Sequence, residues 1–232
     1  MTMLIDSMVE RAKADKKTIV LPEGHDDRIL AAAEETLKQG IANLVILGDA
    51  EEINAKGYNL EGAEIINPAT SDKVDEFASL LFELRKKKGM TEEEARELVT
   101  KDNIYFATMM VKTGQCDGLV GGASCATVKI LSPALKVLKT APGAPMVSSL
   151  FLMEVPNCDL GENGVFAFAD CALEIQPTAE KLAHIANLTN QSFKRLLGKE
   201  ARIALLSHSS HGSAKNDDAQ KVVDAMIAQG IV

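Results

Sequence analysis

Aromatic side chains are scarce in this chain, and long apolar runs are missing. Tryptophan is absent from the 232 residues, and Phe and Tyr together make up only 4% of them. The core is therefore expected to be aliphatic, because hydrophobic residues still account for 46% of the sequence. No apolar run approaches the length of a membrane span, and no secretory signal opens the chain. These features predict a globular protein of one large domain or one and a half ordinary ones.

Cysteines and positive charge are also limited. The four cysteines lie at positions 116, 125, 158 and 171 without any C-x-x-C pair, so a metal site is not expected. Isolated thiols in a chain without a secretory signal predict a cytoplasmic location. The formal net charge of −8 argues against nucleic acid as a partner, because phosphate neutralisation needs clustered cations. A small phosphorylated ligand held by a local Arg or Lys site is still compatible with this charge.

Strand and helix patterns alternate along the chain. Short apolar runs at residues 18–21, 43–47, 63–66 and 118–120 predict buried strands, and helical periodicity follows them. This alternation predicts the α/β class, with mostly parallel sheets flanked by helices. The loop Thr-Ala-Pro-Gly-Ala-Pro at residues 140–145 is the best domain boundary, giving domains 1–143 and 144–232. The second domain begins with a predicted hairpin.

The stretch Leu-Leu-Ser-His-Ser-Ser-His-Gly-Ser-Ala-Lys at residues 205–215 is the most informative local pattern. Residues 203–206 predict a buried strand that opens into a Ser/Gly turn before a helix. Such a turn presents backbone N–H groups, hydroxyls and one ammonium to an anion. An ordinary strand–turn–helix connection would use the same residue types. His208 and His211 could bind a metal or transfer a proton, but no third ligand is evident.

A series of segments resembles the phosphate acetyltransferase (phosphotransacetylase) family, in order and at the family's spacing. They are Ile-Val-Leu-Pro-Glu at 19–23 with Asp-Arg at 27–28, Glu-Leu-Arg-Lys-Lys-Lys-Gly at 83–89, Tyr-Phe-Ala-Thr-Met-Met-Val at 105–111 with Asp-Gly-Leu-Val at 117–120, Pro-Ala-Leu at 133–135 with Lys-Thr-Ala-Pro-Gly at 139–143, Val-Pro-Asn-Cys at 155–158, Gly-Val-Phe-Ala-Phe-Ala-Asp-Cys at 164–171, and Gly-Ser-Ala-Lys at 212–215. No single segment is decisive, but the ordered series is highly specific.

The resemblance implies reversible acetyl transfer between acetyl phosphate and coenzyme A. It also implies a two-domain fold similar to the isocitrate and isopropylmalate dehydrogenases, a cytoplasmic homodimer, and coenzyme A as substrate with no bound cofactor. A phosphate butyryltransferase-like acyl transferase is one alternative, and a truncated chain that only binds a ligand or a partner is another. A metal-dependent dehydrogenase of the same fold is the weakest, because no Asp cluster or nucleotide signature supports it.

Most site residues follow from the same resemblance, whereas Gly122 and Ser124 follow from their place between a strand and a helix, where a tight structural turn is the alternative. Arg85 matches the family's Glu-Leu-Arg-Lys motif, and a guanidinium can bind phosphate through two parallel N–H donors. Backbone N–H groups near Gly122 could face phosphate where a strand meets a helix. The predicted substrate-binding residues are Arg85, Gly122, Ser124, Ser207, Ser209, Gly212, Ser213 and Lys215. A second set, for which structural roles remain open, comprises Arg28, Lys129, Ser132 and Cys158.

Two departures from the family pattern stand out. Ser132 occupies the position before Pro133 where the family usually has arginine, and Lys129, three residues earlier, could partly replace that cation. The family sequence also continues past the position of Val232 with a segment that carries its acid/base in an Asn-Asp-Leu-Ser-Arg-Gly motif. The catalytic residue is therefore unknown here, the second domain is expected to be incomplete, and the 232-residue chain is expected to be weakly active at best.

Overall fold

The computed structural model describes residues 3–209, 213 and 215–228. The chain divides into two compact units, Met1–Lys139 and Thr140–Val232, and each is considered by itself. Within the described residues, no helix combines the length and the apolar character needed to cross a membrane.

The first unit is built on a parallel sheet with helices around it. Its strands are β1 (Thr18–Leu21), β2 (Asn43–Leu47), β3 (Glu64–Ile66) and β4 (Gly118–Leu119), and its helices are α1 (Met3–Ala14), α2 (Asp27–Gln39), α3 (Ala50–Ala55), α4 (Val74–Arg85), α5 (Glu92–Lys101), α6 (Asn103–Lys112) and α7 (Thr127–Val137). The strand order is β3-β2-β1-β4, and every pairing is parallel. The predicted α/β class with a parallel sheet is confirmed.

The order of the strands places a topological switch point next to β1. The chain moves outward from β1 to β2 and β3, and then returns to the opposite side of β1 as β4, where Ile19 pairs with Gly118. The carboxyl ends of β1 and β4 therefore lie side by side. In open α/β sheets, ligands bind in the crevice outside such a point.

Both faces of this sheet are covered by helices, because alternate strand residues point to opposite sides. One face packs against α4, α5, α6 and α7, and the other packs against α2 and α3. The first cluster includes Val20, Val45, Leu47, Phe77, Val99, Phe106 and Met109, and the second includes Leu21, Leu30, Leu44, Ile46 and Ile53. Phe77 and Phe106 meet edge to face with ring centroids 5.0 Å apart. The core is mostly aliphatic, as predicted, but its two largest fully buried side chains are Phe77 and Phe106.

Several helices in this unit begin with a side-chain cap. The side chain of Asp26 accepts a hydrogen bond at the start of α2, and Asp102 does the same for α6. Thr91 and Glu94 form a capping box at the start of α5, in which each side chain accepts from the other residue's backbone N–H. Each of these caps depends only on residues that are neighbours in the sequence.

The second unit contains an antiparallel hairpin and two long helices in its described part. The hairpin pairs β5 (Leu150–Glu154) with β6 (Val165–Ala169), and α8 (Ala179–Leu197) packs against both β6 and α9 (Asp217–Ala228). The strand predicted at residues 203–206 does not form, and Leu206 is 80% exposed. A strand needs a neighbour to pair its backbone groups. Among the strands that the structure describes, β5 and β6 pair only with each other.

Candidate functional site

Glu23 joins the ends of β1 and β4 through a buried carboxylate. The residue lies directly after Pro22 and is only 3% exposed. Its Oε2 accepts from the backbone N–H groups of Gly122 and Ala123 at 2.6 and 2.9 Å. Its Oε1 accepts from the Ser124 N–H at 2.8 Å and from the Ser124 hydroxyl at 2.7 Å. An internal anion therefore lies at the switch point of the sheet.

The hydrogen bonds keep Glu23 ionised despite its burial. Burial alone would raise the pKa of the carboxyl, but the Ser124 hydroxyl and the backbone N–H groups of residues 122–124 stabilise the charged form and lower its pKa from 4.5 to about 2. An ionised carboxylate only accepts hydrogen bonds, so the Ser124 hydroxyl must donate to it. The Nε2 of His25, 3.1 Å from the same hydroxyl oxygen, then has to be the donor in that contact. In this arrangement His25 does not act as a base on Ser124.

Arg28 holds the same loop from its carbonyl side. Its Nη2 donates to the Ala123 carbonyl oxygen at 2.5 Å. Its guanidinium also forms a forked pair with Asp26, with Nε–Oδ1 and Nη2–Oδ2 distances of 3.0 and 2.7 Å. Hydrogen bonds from Arg28 hold the pKa of Asp26 well below its usual range. Arg28 thus has a structural role in a salt bridge at the helix cap, and its contact with substrate remains a prediction.

The close fit of the loop against β1 requires glycine. A Cβ atom on Gly121 would lie 2.9 Å from the Pro22 Cγ and 3.4 Å from the Glu23 Oε2. Gly122 has a φ of +107°, in the region that favours glycine. Any larger residue at Gly121 would push the loop away from Glu23, so sequence and geometry agree that this junction is tightly built.

The backbone N–H groups of the two loop residues predicted to bind substrate therefore already have an acceptor within the protein. The N–H groups of Gly122 and Ser124 point to Glu23 instead of an open phosphate position. Both residues are otherwise exposed, so their remaining atoms can face a ligand, and their role as substrate contacts stays a prediction. The sequence reasoning missed Glu23 as the partner of this loop. A carboxylate two positions after the end of a buried strand was the available signal.

The other predicted residues of the first unit lie on α4 and α7. Arg85 is the last residue of α4, and its buried Nε has no hydrogen-bond partner among the described residues. Lys129 is exposed and Ser132 is half-buried, both on α7, which begins directly after the loop. A buried N–H without a partner is costly, so the Arg85 guanidinium is suited to receive an acceptor from a ligand.

A cavity of about 290 Å³ opens at the carboxyl ends of β1, β2 and β3. Its lining includes His25, Asp49, Glu52, Lys56 and Asn67. Lys56 is paired with Asp27 at 2.9 Å, and Asp49 accepts from the backbone at the start of α3. In the part of the chain that the structure describes, no group of three or more His, Cys, Asp or Glu side chains could hold a metal ion.

The described residues of the serine-rich segment precede α9 in the second unit. Ser207, Ser213 and Lys215 are exposed, and the Ser209 N–H donates to the Ser207 hydroxyl at 3.1 Å. Gly212 and His211 lie outside the described residues. Asn216 caps α9 by accepting from the Ala219 N–H at 2.9 Å, and its amide contacts the His208 Nε2 at 2.8 Å. Ser207, Ser209 and Ser213 precede α9 in the chain, and their role as an anion site stays a prediction.

Asp170 is a second carboxylate that the sequence reasoning did not single out. It follows β6 and accepts from the backbone N–H of Ser149 at 2.9 Å and of Leu173 at 2.8 Å, with further bonds from the hydroxyls of Ser148 and Ser149. Burial opposes ionisation, but these donors outweigh it and hold the pKa of Asp170 well below its usual range. Cys158, in the turn between the strands, is half-buried.

The parallel sheet and the loops at its carboxyl edge define a class, the α/β proteins that place their ligand sites at such edges. Comparison with known sequences then identifies the group within that class. The model of the phosphate acetyl/butaryl transferase family matches residues 3–229. The chain belongs to this family.

Individual relatives agree with the family match. The chain is 53% identical over 232 residues to the phosphate acetyltransferase of Thermoanaerobacterium thermosaccharolyticum. This alignment covers 99% of this chain and 70% of that protein. A phosphotransacetylase structure from Streptococcus pyogenes is 36% identical with a TM-score of 0.89, over 100% of this chain and 70% of that one. EutD phosphotransacetylase from Staphylococcus aureus is 34% identical with a TM-score of 0.86, over 98% of this chain and 68% of that one.

Proposed function

We propose that this protein is a phosphate acetyltransferase, which transfers an acetyl group reversibly between acetyl phosphate and coenzyme A. The observation that carries the proposal is the 53% identity to a protein named phosphate acetyltransferase, along essentially the whole chain. The family includes butyryl-transferring members, but the relatives reported above carry the acetyl or the phosphotransacetylase name. Acetyl transfer is therefore favoured over the butyryl alternative.

The reaction needs donors for phosphate and for the acyl oxygen, and a group that removes the thiol proton of coenzyme A. We assign phosphate binding to Arg85, because its Nε is buried and lacks a partner in the described part of the chain. The hydroxyl-rich turn that includes Ser207, Ser209, Ser213 and Lys215 is the second candidate anion site. The thiol is itself the nucleophile, so the proposed chemistry requires no bound cofactor and no metal.

Some finer features are proposed mainly on the resemblance. They are a fold similar to the isocitrate and isopropylmalate dehydrogenases, a homodimeric assembly and a cytoplasmic location. The cysteines support the location, because Cys116, Cys125, Cys158 and Cys171 are all free thiols, as expected in a reducing compartment. Sedimentation of the purified protein would test the assembly.

The activity is tested by following thioester formation from coenzyme A with acetyl phosphate and with butyryl phosphate. We expect faster turnover of acetyl phosphate. Faster turnover of butyryl phosphate would instead identify a butyryltransferase. No thioester with either donor would contradict the enzyme assignment, and calorimetric binding of coenzyme A would then identify a chain that only binds its ligand.

The assignment of Arg85 is tested by the Arg85→Lys variant, which keeps the charge and loses the paired N–H geometry. We expect kcat/KM for acetyl phosphate to fall about tenfold, since a hydrogen bond to a charged group contributes about 1.5 kcal/mol or more. Arg96→Lys is the matched control, because Arg96 is an exposed residue of α5 that pairs with Asp75. Equal kinetics in both variants would show that Arg85 does not bind the phosphate.

A further inference from the structure

Three side chains from one short segment hold the loop at residues 122–124. Glu23 accepts from three successive N–H groups and from the Ser124 hydroxyl, His25 contacts that hydroxyl, and Arg28 donates to the Ala123 carbonyl. The loop and this segment are separated by about 100 residues of chain, so the contacts fix the junction between β1 and β4. Of the three, Glu23 is the buried one, at 3% exposure.

We propose that Glu23 is a positioning residue for the acyl transfer, an internal anion that shapes the loop at residues 121–124 before substrate arrives. The inference rests on the proposed function and deepens it. The successive N–H groups of the loop form a concavity of the kind that binds anions at strand–helix junctions. Because Glu23 fills it, no ligand phosphate is needed to order the loop. A loop that is ordered in advance lowers the entropic cost of reaching the reactive geometry.

We infer that Glu23 affects the atoms facing the substrate indirectly, through the loop and α7. The loop continues directly into this helix, which carries Lys129 and Ser132. The N-cap residue of α7 is Ala126, whose side chain has no acceptor for the free N–H groups of the first turn. The helix start is therefore fixed by the preceding loop more than by its own cap. Loss of the hydrogen bonds to Glu23 would therefore shift the exposed atoms of Ser124 and the first turn of α7 together.

The test compares Glu23→Gln and Glu23→Ala with wild type, and uses Glu35→Gln as the charge-matched control on the exposed face of α2. A core variant, Val99→Ala, supplies a loss of stability away from the loop. Two quantities are measured: hydrogen exchange at the amides of residues 122–124, and kcat and KM for acetyl phosphate. All variants are assayed at a temperature where circular dichroism shows them folded.

We expect faster amide exchange in both Glu23 variants and a fall in kcat/KM on the order of 100-fold, the loss that a displacement of about 1 Å can cause. Val99→Ala and Glu35→Gln should keep wild-type kinetics. Formate added to Glu23→Ala should slow the exchange again and restore part of the turnover, because its carboxylate can accept from the vacated N–H groups. Loss of stability alone would not respond to formate in this way.

Unchanged amide exchange in Glu23→Ala would overturn the inference, whether or not the wild-type chain is active. Faster exchange with unchanged kcat and KM would overturn it as well, because Glu23 would then hold a loop that the reaction does not use. Absence of wild-type turnover would count against the proposed function and against this role in it. Faster exchange that formate reverses would, even then, show that Glu23 is the internal anion of the loop.

Discussion

Glu23 in the first unit and Asp170 in the second hold loops by the same chemistry, but over different distances along the chain. Each is an ionised carboxylate that accepts from backbone N–H groups and serine hydroxyls. The donors to Glu23 lie 99 to 101 residues away, whereas those to Asp170 lie 22 residues or fewer away. Glu23 therefore connects distant strands, and Asp170 closes one local turn beside its hairpin.

The two carboxylates also differ in how far they are buried. Glu23 is 3% exposed, and Asp170 is half-buried. Water can partly replace lost hydrogen bonds at a half-buried carboxylate but not at a buried one, whose donors would be left without partners. Two side chains with similarly lowered pKa values therefore need not contribute equally to stability. The pKa does not report whether the N–H and hydroxyl donors find water or stay without a partner once the carboxylate is removed.

The largest expected effect is that of Glu23→Gln on the first unit. The pKa of Glu23 falls from 4.5 to about 2 on folding, so ionisation contributes about 3 kcal/mol to the free energy of unfolding at neutral pH. Urea unfolding followed by circular dichroism measures this loss, since the chain has no tryptophan for fluorescence. A loss below that of Asp170→Asn would reverse the comparison.

The pH dependence of the same variant sharpens this prediction. A carboxyl with a lowered folded pKa stabilises the protein above its unfolded pKa, and the stabilisation is lost as the pH falls through the folded value. The difference between wild type and Glu23→Gln should therefore stay constant down to about pH 5 and disappear toward pH 2. A difference that does not change with pH would show that the charge of Glu23 is not what stabilises the loop.

A smaller effect is expected for Asp170→Asn, about 1 to 2 kcal/mol, the range for removing a hydrogen-bonded partner from a partly solvated site. The amide keeps one acceptor oxygen and the local donors can turn to water. Hydrogen exchange at the Ala172 and Leu173 amides should rise, whereas exchange at residues 122–124 should match wild type. Faster exchange at both loops would mean that the two carboxylates are coupled.

The smallest effect is expected for Arg28→Ala, at most about 1 kcal/mol. Its side chain is 69% exposed, and exposed ion pairs contribute little. The loop would lose the hydrogen bond to the Ala123 carbonyl but keep those to Glu23, so exchange at residues 122–124 should rise less than in Glu23→Gln. Arg28→Lys separates charge from geometry: recovery by lysine would show that the fork to Asp26 is dispensable.

Much of the secondary structure was predictable because its signals are local. The capping box of Thr91 and Glu94, the caps Asp26 and Asp102 and the end of α8 at Gly198 all depend on residues within a few positions of each other. The family was predictable for a related reason, since an ordered series of short motifs survives in the sequence whatever their contacts are. The family match and the named relatives confirm that prediction.

The strand predicted at residues 203–206 shows where local patterns stop being sufficient. The apolar run Ile-Ala-Leu-Leu has a strand-like composition, but pairing depends on a neighbour that its own residues do not specify. Leu206 stays exposed in the described structure. The predicted strand was wrong because composition reports how well a segment would fit a sheet and not whether the sheet has a place for it.

The sequence by itself determined the family, the alternation of helices and strands and most helix ends, since these follow from motif order, periodicity and neighbouring side chains. Only the tertiary structure decided the partner of the loop after β4. Glu23 and Gly122 are 99 residues apart, and the fold brings them together because β1 and β4 pair in parallel at the switch point. A backbone N–H group needs a hydrogen-bond acceptor, but the residues around it do not specify which acceptor that is. In this fold the pairing of β1 with β4 brings the Glu23 carboxylate to the loop.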